Sequence, residues 1–81
     1  MNTKEFLTGL WENAKKKYGP IKSCNVPLST SSDGESLLRV NIDENLNHHY
    51  IVTGMINGKY QNVTYKKFDA ALSLFNELCY A

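Results

Sequence analysis

The chain is short of almost everything that would announce a chemistry. It has 2 cysteines, Cys24 and Cys79, in 81 residues. That is too few for a small scaffold stapled by disulfides, and both thiols are expected to be reduced. It has 2 prolines, and its 5 glycines (Gly9, Gly19, Gly34, Gly54, Gly58) are nowhere clustered. A glycine-rich phosphate cradle is therefore excluded. No stretch comes near the ~20 apolar residues of a membrane span, and the N-terminus carries no signal-like apolar run. These absences lead to the expectation of a soluble, cytoplasmic protein. The sequence Asn62-Val63-Thr64 fits the glycosylation pattern, but in that setting it is a chance match.

Charge of one sign is lacking too. Nine basic residues face eight acidic ones, for a formal net charge of +1. A dedicated nucleic-acid binder has a basic excess, and a nucleic-acid mimic is strongly acidic. Length sets a further bound. A chain of this size buries only about 60% of its unfolded surface, which leaves one domain, residues 1–81, and little room for a deep catalytic cleft.

What is present is periodicity. Phe6, Leu7, Leu10, Trp11, Ala14 and Tyr18 recur at helical spacing. They predict a helix from Thr3 to Tyr18, with Asn2 as its cap and Glu5 completing a capping box. Lys15, Lys16 and Lys17 suit the negative end of that helix, and Gly19-Pro20 stops it. Residues 21–28 alternate weakly. Pro27 cannot donate to a ladder, so this strand belongs at an edge or carries a bulge. The run Ser29 to Gly34 reads as a flexible polar loop. Residues 36–43 alternate cleanly, with Leu38, Val40 and Ile42 on one side, and Glu44 to Asn47 turns the chain.

The strongest local signal is Asn57-Gly58, the best short hairpin marker because its turn needs φ > 0 at both positions. A two-residue loop pairs Ile56 with Lys59, Val52 with Val63 and Tyr50 with Tyr65. Tyr50, Val52, Gly54, Ile56, Val63 and Tyr65 then share one face, and His49, Ile51, Thr53, Met55, Tyr60 and Asn62 the other. The first face is expected to be buried. That requires an odd number of residues, or a bulge, between this hairpin and the strand of Val40 and Ile42. An even loop would bury Ile51 and Met55 instead. Gly54 inside a strand suggests a bulge or a close approach of another backbone. A last helix, roughly Lys66 to Tyr80, carries the stripe Phe68, Ala71, Leu72, Phe75, Leu78 and Cys79. The fold class that follows is α+β: a two-layer sandwich of order α-β-β-β-β-α, with an antiparallel four-stranded sheet and both helices on one face.

Candidate chemistry is sparse. His48 and His49 are adjacent on a strand and point to opposite faces, so they do not chelate one metal. Cys24 and Cys79 sit at apolar positions and read as packed thiols. Asp43-Glu44 lies in a polar turn and reads as solvated charge. No catalytic residue, metal or cofactor is expected, and the chain is read as a non-enzyme.

Two surfaces remain. One is the second hairpin face with its neighbouring strand: Arg39, Ile51, Met55, Tyr60 and Asn62, flanked by Leu37, His49 and Thr53. Aromatics, Met and Arg are enriched at protein interfaces. The leading reading is thus a protein-binding module, an adaptor or stoichiometric inhibitor of a larger protein or complex, with a homodimer through the open face as a variant. In size and in lacking a catalytic motif the chain is similar to small phage and mobile-element accessory proteins, anti-CRISPR proteins among them. The other surface is Lys66 and Lys67 at the head of the last helix, together with Lys15, Lys16 and Lys17. The helix–strands–helix order and the Lys66-Lys67-Phe68-Asp69-Ala70 run resemble the double-stranded-RNA-binding domain, where Lys-Lys-x-Ala-Lys opens the last helix. Here aspartate replaces the alanine and alanine the third lysine. The loop Ser29 to Gly34 lacks that family's Gly-Pro and histidine, and there is one strand too many. The resemblance implies nucleic-acid binding as the alternative function.

Overall fold

A computed structural model describes residues 3–80. The order is α1 (Thr3–Tyr18), β1 (Ser23–Thr30), β2 (Leu37–Asp43), β3 (His48–Ile56), β4 (Lys59–Tyr65) and α2 (Phe68–Tyr80). The strands form one antiparallel meander in the order β1-β2-β3-β4. This is the α+β architecture expected from the sequence. The expected cap, Asn2, lies outside the described residues.

The helices form one layer. α1 lies over β1 and β2, while α2 lies mainly over β3 and reaches β2 and β4. Strand β2 is therefore covered by both, and its inward residues Leu38, Val40 and Ile42 are buried at 1%, 0% and 0% exposure. Tyr50 and Val52 of β3 and Leu7, Trp11, Ala71 and Phe75 of the helices complete the core. Phe6 and Tyr18, expected on the apolar face of α1, are instead exposed. Gly19 (φ 78°) ends α1 by donating its N–H to the Lys15 carbonyl, a left-handed cap.

The hairpin register is as derived from Asn57-Gly58: Ile56 pairs with Lys59, Val52 with Val63 and Tyr50 with Tyr65. Asn57 and Gly58 have φ of 53° and 80°, as a type I′ turn requires. The preceding connection is odd. Ile42 pairs with His48, leaving Asp43 to Asn47 between them. Leu46 adopts φ 64° there, so a type I turn is followed by a left-handed residue. This parity sends Tyr50 and Val52 to the helix side with Val40 and Leu38.

Three boundaries and one loop differ from expectation. β1 runs two residues later than the periodicity suggests, and its register with β2 shifts between Pro27 and Ser29. Pro27 thus meets both conditions set for it, an edge strand and a bulge. α2 begins at Phe68, and Lys67 is its cap residue, its carbonyl accepting from the Ala71 N–H. Gly54 lies in an unbroken ladder, not a bulge, and side chains rather than another backbone approach it: a Cβ there would come within 2.9 Å of the Leu78 side chain and 3.0 Å of the Ser36 hydroxyl. The loop after β1 is not merely polar chain. The Ser31 hydroxyl donates to Asp33 at 2.6 Å and accepts from the Ser36 N–H, and the Glu35 N–H also donates to Asp33.

Candidate functional site

The face of the sheet away from the helices is built by register alone. Arg39 lies directly opposite Ile51, and Ile51 opposite Thr64. The next row is Leu37, Thr53 and Asn62, and beyond it Met55 faces Tyr60 at the hairpin end. All five residues singled out from the sequence, Arg39, Ile51, Met55, Tyr60 and Asn62, therefore share this face. Met55 and Tyr60 are 54% and 63% exposed, and Asn62 is exposed while Ile51 and Arg39 are half-buried. The other end of the face is polar: Asn41 donates to the Asn25 side chain at 3.1 Å, and His49 stands opposite Asn41.

Two details were not readable from the residue types. Thr53 donates its hydroxyl to the Asn62 side-chain oxygen at 2.6 Å and is itself buried. This polar pair stands between Ile51 and the Met55–Tyr60 pair, with half-buried Leu37 completing the row on β2. Secondly, the Arg39 Nε is buried with no hydrogen-bond partner among the described residues. Arg39 sits between Pro27 and Ile51, and neither side chain offers an acceptor. An unmet buried donor costs about 1–3 kcal/mol.

The lysines do not form one surface. Lys66 and Lys67 line a hollow of about 370 Å³ with Thr3, His48, Tyr50, Phe68 and Asp69. Thr3 begins α1, and Lys15 to Lys17 end it. At about 1.5 Å per residue the two groups stand roughly 18 Å apart along the helix.

The remaining candidates fall where the periodicity put them. His48 is on the helix side, its ring edge-on to Tyr50 at 5.5 Å, while His49 is on the open side. Among the described residues no three His, Cys, Asp or Glu gather as a metal site, and no helix is long and apolar enough to cross a membrane. Cys24 and Cys79 are free and half-buried. Burial pushes the Cys24 thiol up from its ordinary value, away from the reactive thiolate. Burial likewise raises the Tyr50 phenol.

The fold and this face together define a class, a small two-layer α+β domain with one uncovered sheet face. The sequence matches no protein-family model and no curated protein, and the structure matches no solved structure.

Proposed function

We propose that the chain is a small non-catalytic protein-binding module that docks its open sheet face on a larger protein, as an adaptor or stoichiometric inhibitor. The observation that carries this reading is the one-sided layer. Ile51, Met55 and Tyr60 stay outside the core, beside an arginine whose buried Nε has no partner among the described residues. Exposed aromatic and Met side chains next to an Arg are the composition of interface centres. The analogy in size and in lacking a catalytic motif is with small accessory proteins of phages and mobile elements, and a cytoplasmic location suits the reading.

Affinity capture with the tagged protein from host lysate, with and without nuclease, tests the reading. A discrete, nuclease-resistant partner retained by wild type and lost with Tyr60→Ala or Met55→Asp is the expected result. Both variants should keep the wild-type far-ultraviolet circular dichroism, since both side chains are mostly exposed. Capture that is unchanged in both variants would overturn it.

A second reading, nucleic-acid binding, is favoured by one observation, the position of Lys66 and Lys67 at the open N-terminus of α2. Free helix N–H groups beside lysines suit phosphate. The separation of Lys15 to Lys17 from this pair narrows the reading to Lys66 and Lys67. It predicts salt-steep binding lost with the double variant Lys66→Glu, Lys67→Glu.

A further inference from the structure

The two edges of the sheet are built differently. β1 carries Pro27, which has no N–H, and a register shift between Pro27 and Ser29. Both devices blunt an edge against pairing. β4 carries neither. From Tyr60 to Tyr65 it reads YQNVTY, with no charge, proline or glycine, the composition that pairs most readily when it lies at an edge. Its register with β3 is unbroken, and Lys59 to Asn62 and Thr64 are exposed.

Hairpin geometry fixes which backbone groups are free. The loop-closing pair Ile56–Lys59 exchanges both hydrogen bonds, so Gly54–Gln61, Val52–Val63 and Tyr50–Tyr65 do as well. Tyr60, Asn62 and Thr64 fall in the intervening pairs. Their N–H and C=O groups point away from β3, and among the described residues no strand lies beyond β4.

We infer that this edge pairs with the same edge of a second copy, antiparallel about a two-fold axis through Asn62. This goes beyond the docking reading above and does not depend on it. A centre at Asn62 sets Tyr60 opposite Thr64 of the other copy and Asn62 opposite itself. All the outward groups of both strands are then joined, and no other centre joins as many. The side-chain pairs also agree. Tyr meets Thr, an aromatic with a β-branched residue. Gln61 meets Val63, and Lys59 meets Tyr65, a cation beside a ring. No like charges stand directly opposite, so the strand is complementary to itself. A foreign strand has no such register written for it.

The two open faces fall on the same side of the resulting eight-stranded sheet. Each copy thereby adds Tyr60 and Thr64 to the other's face, and the surface becomes continuous across the axis. Assembly closes at two copies, because the outer edge on each side is then the blunted β1.

Residue 62 opposes itself only in this register, which supplies the test. Sedimentation equilibrium on purified protein, over a concentration series, should show a mass doubling for wild type. Asn62→Asp and Asn62→Lys should each lose it, because each places like charges on the axis. Their equimolar mixture should regain it. A wild type that stays monomeric into the millimolar range overturns the proposal, whether or not it binds a foreign strand. So does a dimer indifferent to both substitutions, or a mixture that fails to recover. Should either variant misfold, amide exchange of wild type decides. The Tyr60, Asn62 and Thr64 N–H groups gain protection with concentration if the edge pairs, and unchanged exchange overturns it. Capture experiments on a foreign partner do not enter this outcome.

Discussion

Gly54 shows how a single residue sets the distance between layers. It lies on the helix side of β3, under Leu78 of α2, with Ser36 alongside. A methyl group there would have to displace the Leu78 δ-methyl or the Ser36 hydroxyl, both side-chain ends, and overpacking of this kind costs up to about 1–3 kcal/mol. Gly54→Ala should therefore lower the unfolding free energy read from urea denaturation by no more than that, and Gly54→Val should lower it further. An unchanged free energy would mean that Leu78 and Ser36 rotate aside freely. The turn carboxylates act through charge instead. The hydrogen bond from Ser31, aided by the Glu35 N–H, holds Asp33 below its ordinary value of 3.8. At Asp43 desolvation pushes upward, but the N–H groups of Asn47 and Asn45 and the Asn47 side chain outweigh it, so its value is also lowered. A carboxyl whose folded pKa is depressed stabilises the fold above its unfolded value and loses that contribution as pH falls through the folded one. Thermal melts should accordingly place Asp33→Asn and Asp43→Asn below wild type at neutral pH. The gap should close below about pH 4. A gap constant with pH would show that the hydrogen-bond geometry matters and the charge does not.

At the scale of elements, hairpins were the most legible part of the sequence. Asn57-Gly58 has one good conformation, and the conformation dictates the register of every pair in β3 and β4. The buried face was less so, because it hangs on the parity of the Asp43 to Asn47 connection. That connection uses Leu46 at φ 64°, a conformation L-residues seldom adopt, so no glycine marks it. Partial burial of Leu46 against the core holds it there. The ends of β1 were less legible, because weak alternation over residues 21–30 does not mark where pairing starts and stops, and its bulge leaves no mark beyond Pro27. Of the site, the shared face followed from register, whereas the Thr53–Asn62 bond and the stranded Arg39 Nε depend on rotamers that spacing does not encode. The head of α2 has its own consequence. Lys67 occupies the cap position, where Ser, Thr, Asp or Asn would accept a bond from a free N–H. Lys67→Ser should raise stability by about 0.5–1 kcal/mol, read as a higher melting temperature. If Lys67 serves phosphate binding, the same variant should bind nucleic acid more weakly while melting later.

Over the whole molecule the principal extents are 38 × 24 × 19 Å, a slab with room for one sheet and one helix layer. Burial is therefore one-sided, and residues three apart along β3 experience different solvents. Val52 has 0% exposure on the helix side, and Met55 has 54% on the open side. Val52→Ala removes two buried carbons and leaves a cavity, for a loss of about 2–3 kcal/mol. Met55→Ala removes more atoms yet should change the stability of the isolated monomer by no more than about 0.5 kcal/mol. Urea denaturation of both variants at two protein concentrations measures this. A Met55→Ala cost that is small when dilute and grows with concentration would place Met55 inside an association between copies. A cost as large as that of Val52→Ala under all conditions would mean that the chain covers its own open face, leaving no surface for a partner.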